Sequence, residues 1–210
     1  LPIVLGLARQ HYPKVCCTLG IHPHEASLYS NEIETWIRQN ALDKTVVALG
    51  EMGLDYFYKN SEPEVQKEAF RRQLAIAAEL QLPVEIHTRD ADEDTVLILK
   101  EFAGRVKGVI HCFTGSAWLA EECLGLGYNI SLSGVVTFKN ADSLREIARN
   151  LPIDRMHVET DAPFLTPTPF RGVKNSPHFM IFTAQFVADL KQMSIADFSQ
   201  QMILNAQAMF

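Results

Sequence analysis

The chain has 210 residues, 47% of them hydrophobic and 21% charged, and a formal net charge of −6. That is enough for one domain with a real core, and the acidic balance argues against a broad electrostatic grip on nucleic acid, though not against a nucleic-acid enzyme whose metal ions supply local positive charge. No apolar run approaches the ~20 residues of a membrane span, and Leu1 to Gln10 lacks the basic start and small-residue cleavage site of a signal peptide.

In chain order, residues 1–10 read as the tail of a helix. Val15 to Gly20 reads as a strand running into Ile21-His22-Pro23-His24. A helix over 31–39 follows, capped by Ser30 or Asn31. Thr45 to Leu49 is a β-branched, apolar run that suits a strand buried on both faces and broken at Gly50. Ser61, Pro63 and Glu64 form a capping-box pattern ahead of a helix over 62–80. Strands are expected at 83–86, 106–110, 129–132 and 155–158. Helices are expected at 91–102, capped by Asp90, then at 117–126, 140–150, 178–191 and 195–206. Cys16, Cys17, Cys112 and Cys123 include no CxxC pair and read as reduced core thiols of a cytoplasmic protein.

Strict strand–helix alternation with short connections predicts an α/β fold with a parallel sheet. Polar residues follow nearly every strand. A closed TIM-type barrel displays such residues all round one rim, whereas an open doubly wound sheet gathers them at one switch point, so the barrel is favoured. Six strands are visible where a barrel has eight in about 250 residues. Because the chain opens in mid-helix on Leu1, the expectation is a single, N-terminally incomplete barrel domain over 1–210, lacking the first two strands.

Four strand-end residues stand out: Glu51, His87, His111 and Asp161. Two imidazoles and two carboxylates are the nitrogen and oxygen donors that Zn²⁺, Mn²⁺ and similar ions accept. Taken singly, a His after a strand is more often structural, and an acid in a turn is more often a cap or solvated. Four at equivalent positions argue for a site. His24, Asp55 and Arg89 lie just beyond their strands, placed to contact phosphate or orient ligands; Arg89 can equally pair with Asp55, Asp90 or Asp92. Glu159 points the same way as Asp161, or else is a buried acid paired with Arg171 or Lys174. Tyr56 and Phe57 either stack on a base or pack the rim. His11, His157 and His178 read as structural or exposed.

Gly50-Glu51-Met52-Gly53-Leu54-Asp55, Ile86-His87-Thr88-Arg89-Asp90, His111-Cys112-Phe113-Thr114-Gly115-Ser116 and Glu159-Thr160-Asp161-Ala162-Pro163-Phe164 resemble the signature motifs of the TatD family of metal-dependent deoxyribonucleases. Gly20-Ile21-His22-Pro23-His24, Arg171-Gly172 and Asn175 fit the same pattern, and the resemblance runs the length of the chain. It implies a TIM-type barrel of the amidohydrolase superfamily with divalent metal ions (Mg²⁺, Mn²⁺ or Zn²⁺), two of them when the barrel is full. Glu51 is then the shared carboxylate, His87 and His111 ligate the second metal, and Asp161 ligates the first and handles the proton of the attacking water. His24, Asp55, Arg89 and Arg171 are then substrate-side residues. Two departures are visible. The family's first-strand His-x-His pair has no counterpart before residue 15, and Ser176 stands where an acid is common.

The function expected on this basis is metal-dependent hydrolysis of DNA phosphodiesters from an end, with no membrane and no obligate protein partner. A small-molecule amide, ester or lactone hydrolase, or a catalytically silent barrel fragment, are the alternatives.

Overall fold

A computed structural model describes all residues, 1–210. The strands pair in parallel with their sequence neighbours within each of two compact units, four strands in the first and two in the second. The chain divides into two compact units, the first comprising Leu1–Ile110 with Gly125–Tyr128 and Phe210, the second His111–Leu124 with Asn129–Met209.

The first unit contains α1 (Pro2–His11), β1 (Cys17–Leu19), a 3-10 segment over Pro23–Leu28, α2 (Asn31–Asn40), β2 (Val46–Asp55), α3 (Pro63–Leu80), β3 (Val84–Arg89), α4 (Asp92–Glu101) and β4 (Gly108–Ile110). Ser30 caps α2 as expected, its hydroxyl accepting the Ile33 N–H at 3.3 Å. Beyond that, tertiary demands overrule local signals in three places. Strand β2 does not break at Gly50; it runs on to Asp55, with a register irregularity between Leu49 and Met52. The reason is close approach to β3: a Cβ at Gly50 would sit 2.6 Å from the Glu85 carbonyl oxygen, and one at Gly53 would sit 2.0 Å from that of His87. Glycine lets the strand pass where any side chain would force it away, so Glu51 lies within β2 rather than after it. Ser61 does not cap α3. Its hydroxyl donates to the His24 carbonyl at 3.1 Å and accepts the Ser27 N–H at 3.3 Å, tying down the turn that carries His24. Asp90 does not cap α4 either; it sits in a left-handed turn at φ 53°, and the helix begins at Asp92.

Helix α3 buries Gln66, Ala69, Phe70, Gln73, Leu74 and Ala77 on one face, the i, i+3, i+4, i+7 spacing of a helix packed on a sheet. Against it lies β2, whose Ala48, Leu49, Met52 and Leu54 are all 0–1% exposed. Each fully buried large apolar side chain contributes about 1.5–3 kcal/mol of transfer free energy. The helix stops where Gln81 turns left-handed and its N–H closes on the Ala77 carbonyl.

The second unit contains α5 (Ala117–Gly125), β5 (Asn129–Leu132), a 3-10 turn over Gly134–Thr137, α6 (Asp142–Asn150), β6 (Met156–Val158), α7 (Met180–Leu190) and α8 (Ile195–Met209). Strands β5 and β6 pair in parallel through Ile130–Met156, Ser131–His157 and Leu132–Val158. Phe113, Ile130, Leu132, Met156, Val187 and Phe198 are buried to 1% exposure or less. The four cysteines are free thiols; Cys16, exposed rather than in the core, departs from expectation.

No helix is long and apolar enough to cross a membrane.

Candidate metal centre

In the first unit, β2, β3 and the turn after β1 bring His22, Glu51 and His87 together. One donor atom from each lies within 4.8 Å of the others. His87 Nδ1 is 2.9 Å from Glu51 Oε1, and its Nε2 is 2.9 Å from Asp55 Oδ2. His22 Nε2 is 3.5 Å from Glu51 Oε1, and its Nδ1 accepts the His24 N–H at 3.1 Å. The rings of His22 and His87 meet edge to face at 4.6 Å.

Asp55 is fully buried and lies behind this cluster. It also takes His24 Nε2 at 3.0 Å on Oδ2, and the N–H groups of Phe57 and Tyr58 at 3.0 and 2.9 Å on Oδ1. Burial pushes its carboxyl upward, but the Tyr58 N–H and the His24 and His87 rings outweigh that and hold it below the usual carboxylate range. Asp55 is therefore an ionised anchor for two imidazoles.

The donor set fits a cation. A neutral imidazole carries one proton. When His87 gives it to Asp55 through Nε2, the Nδ1 lone pair faces a Glu51 carboxylate oxygen, acceptor against acceptor. A cation between them removes that conflict; the imidazole nitrogens suit Zn²⁺, and the carboxylate oxygen also suits Mg²⁺ and Mn²⁺. An imidazole with one nitrogen tied to a buried acid and the other aimed at a cation is the usual arrangement for a metal-binding histidine.

The second unit holds a separate imidazole–carboxylate set. His111 Nδ1 is 2.8 Å from Glu159 Oε2, and its Nε2 is 3.4 Å from Asp161 Oδ1. Glu159 also accepts the Cys112 N–H at 2.7 Å and the Ser131 hydroxyl at 2.8 Å. Glu159 therefore points with Asp161, as one reading of the sequence had it, and holds His111 rather than Arg171 or Lys174. Burial, with Glu159 adding to it, pushes the Cys112 thiol up to about 12, so it stays protonated beside the Ser133 hydroxyl at 3.1 Å. Asn175 pins the turn carrying Asp161: its Nδ2 donates to the carbonyls of Thr160 and Phe164, both at 2.5 Å.

The two arginines do not pair with the acids considered for them. The Arg89 guanidinium lies over the Phe57 and Tyr58 rings, 3.9 and 4.8 Å from their centroids. Arg171 lies over Phe138 at 3.6 Å and donates to the Thr166 carbonyl at 3.3 Å. His157 is structural: Arg155 donates to Asn129 Oδ1 at 2.7 Å, which turns the Asn129 amide N–H₂ onto His157 Nε2 at 2.9 Å.

Three contributors were not assigned to the donor set or its supports from the sequence. His22 joins the donor set from the His-x-His of the Ile21–His24 turn. Gln66 and Gln73, seven residues apart on the buried face of α3, each clamp a backbone amide with both ends of the side chain. Gln66 takes the Asp55 N–H at 2.7 Å and gives to the Asp55 carbonyl at 2.9 Å; Gln73 takes the Ile21 N–H at 2.7 Å and gives to the Ile21 carbonyl at 3.1 Å. The only hint was polar side chains on an otherwise apolar helix stripe.

These features describe an α/β protein with two imidazole–carboxylate sets, one of which, His22–Glu51–His87, could hold a metal ion. Residues 2–210 match the family model for TatD related DNase. The chain is 44% identical over 202 residues to the Bacillus subtilis protein described as uncharacterized metal-dependent hydrolase YabD, covering 96% of this chain and 79% of that one. It is 42% identical over 212 residues to the 3'-5' ssDNA/RNA exonuclease TatD of Erwinia amylovora, covering 98% and 82%. The crystal structure of the TatD homologue YJJV from Escherichia coli superposes with a TM-score of 0.93 at 30% identity, over 100% of this chain and 82% of that one. The chain belongs to the TatD family of metal-dependent hydrolases. The TIM-type α/β fold class expected from the strand–helix alternation holds, and a metal ion is the cofactor.

Proposed function

We propose that this chain hydrolyses phosphodiester bonds of DNA, removing nucleotides from an end. The observation that carries the reading is the His22–Glu51–His87 donor set with Asp55 locked behind it. The 42% identity to an exonuclease of single-stranded nucleic acid supports the substrate class.

In this reading Glu51 and His87 hold a divalent cation with His22 beside them, and His111 and Asp161 are the ligands that the second unit supplies, for two ions in all. Mg²⁺, Mn²⁺ and Zn²⁺ all accept these donors. Such a cation, when bound, polarises a water and offsets charge on the scissile phosphate. The residues do the rest. Asp55 keeps the His87 and His24 rings in register. Glu159 fixes His111 by its Nδ1. Asp161, with its side chain 30% exposed, takes the proton of the attacking water at a carboxylate oxygen. Glu51 fixes the geometry on which that attack depends. His24, Arg89 and Arg171 meet the substrate, and Asp55 acts on it only through His24 and His87. Residues 1–210 act as one metallohydrolase domain. The proposed compartment is the cytoplasm, where four free thiols persist.

The test is direct. The purified chain, given end-labelled single-stranded DNA and Mg²⁺ or Mn²⁺, shortens it stepwise, and Glu51→Ala abolishes the shortening together with stoichiometric metal. No shortening, or equal shortening by Glu51→Ala, overturns the nuclease reading. Turnover of a carbonyl substrate instead would make this a small-molecule hydrolase.

A further inference from the structure

Phe57 and Tyr58 follow Asp55 by two and three residues, yet each is 53% exposed. Singly exposed aromatics are ordinary on a protein surface. Here two adjacent rings meet edge to face at 4.9 Å, with the Arg89 guanidinium over both. Tyr58 also meets the His24 ring at 5.1 Å, edge to face. The ledge thus abuts the donor cluster through the His24–Asp55 bond.

The ledge is held from below. Asp55 Oδ1 accepts both its N–H groups, the Tyr56 N–H donates to the Arg89 carbonyl at 2.9 Å, and the Tyr56 hydroxyl donates to Asp94 at 2.7 Å. Its rings are presented on fixed backbone rather than on a loose tip. A rigid aromatic face beside a cation matches one ligand chemistry closely: a flat base joined to a phosphate.

We propose that Phe57, Tyr58 and Arg89 form a nucleobase subsite, in which an unpaired base stacks on the aromatic ledge while Arg89 bonds the flanking phosphate. The inference rests on the nuclease reading and narrows it: the base face must be uncovered, so the strand is single at this point. Tyr56, whose hydroxyl is committed to Asp94, is not part of the stacking surface.

The experiment is binding by fluorescence anisotropy without divalent cation, which separates it from hydrolysis. An oligothymidylate of about ten nucleotides is compared with an abasic strand of equal length and charge. Base stacking on an aromatic side chain corresponds to roughly 5- to 150-fold in affinity per base, so the intact chain prefers thymidylate by that order. The double variant Phe57→Ala/Tyr58→Ala loses the preference while still binding the abasic strand, and Phe57→Trp keeps it. Arg89→Gln weakens both strands and lowers the salt slope by about one phosphate contact. Equal binding of the two strands by the intact chain, or an unchanged preference in the double variant, overturns the subsite. Base-dependent binding with no shortening of the strand under Mg²⁺ or Mn²⁺ sinks the nuclease reading and upholds the subsite. Shortening with base-independent binding does the reverse.

Discussion

His87 of the first unit and His111 of the second are held by the same device assembled from opposite ring nitrogens. His87 is anchored through Nε2 on Asp55 and faces Glu51 with Nδ1. His111 is anchored through Nδ1 on Glu159 and faces Asp161 with Nε2, at the longer distance of 3.4 Å. In both, the anchoring carboxylate is also bonded by other donors, two backbone N–H groups and a second imidazole for Asp55, one N–H and a hydroxyl for Glu159. A carboxylate held by several donors stays put, so the ring bonded to it keeps its orientation and its other nitrogen stays aimed at the facing acid. The difference is depth. Asp55 is fully buried and serves two rings; Glu159 serves one and keeps its side chain 20% exposed.

That difference sets the order of effects on mutation. Asp55→Asn and Glu159→Gln each remove an anchor, and loss of such a partner costs about 10- to 100-fold in metal affinity. Asp55→Asn falls at the upper end because two imidazoles lose their acceptor, and Glu159→Gln at the lower end. Calorimetric titration with Mn²⁺ measures both; equal losses would mean that depth is irrelevant to the anchoring.

Next come the buried amides that hold the donor-bearing backbone. Gln73→Leu strands the Ile21 N–H and carbonyl beneath His22, and Asn175→Ala strands the carbonyls of Thr160 and Phe164 around Asp161. Unsatisfied buried groups cost about 1–3 kcal/mol, read as a lower urea midpoint. Gln73→Glu, which keeps one of the two bonds, falls between Leu and the natural residue. A Gln73→Leu chain with unchanged stability would show that water replaces the clamp.

The smallest effect concerns His157, the imidazole held by an amide rather than an acid. Burial lowers its pKa from 6.5, and the Asn129 N–H₂ satisfies Nε2 only on the neutral ring. The unfolded chain therefore binds the proton first as pH falls. The contribution of His157 to stability is present above about pH 6.5 and is lost as pH drops through its lower folded value. Urea midpoints from pH 7.5 to 5 show this decline, and His157→Gln flattens it. A pH-independent difference between the two chains would contradict a neutral, buried ring.

Much of the fold was readable along the chain because its signals are local. The alternation of apolar strands with amphipathic helices, and the Ser30 cap, each depend on residues within one or two turns of one another. The strand-end placement expected for His111 and Asp161 was readable in the same way, whereas Glu51 and His87 lie inside β2 and β3 because those strands run on past the expected ends. Partner choice was not readable in this way. Ser61 had a helix to cap and a turn to tie, and took the turn carrying His24, 37 residues away. Arg89 had acids on either side and lies over aromatic rings instead. Gly50 looked like a strand break and is a point of close strand approach. A buried donor or acceptor must be satisfied by whatever the packed chain brings within 3 Å. Sequence alone determined which elements form, in what order, and which polar residue types lie at or near the strands' carboxyl ends. Only the tertiary structure decided which carboxylate anchors which imidazole, because hydrogen bonds over 30 to 50 residues of separation exist only after the elements have packed.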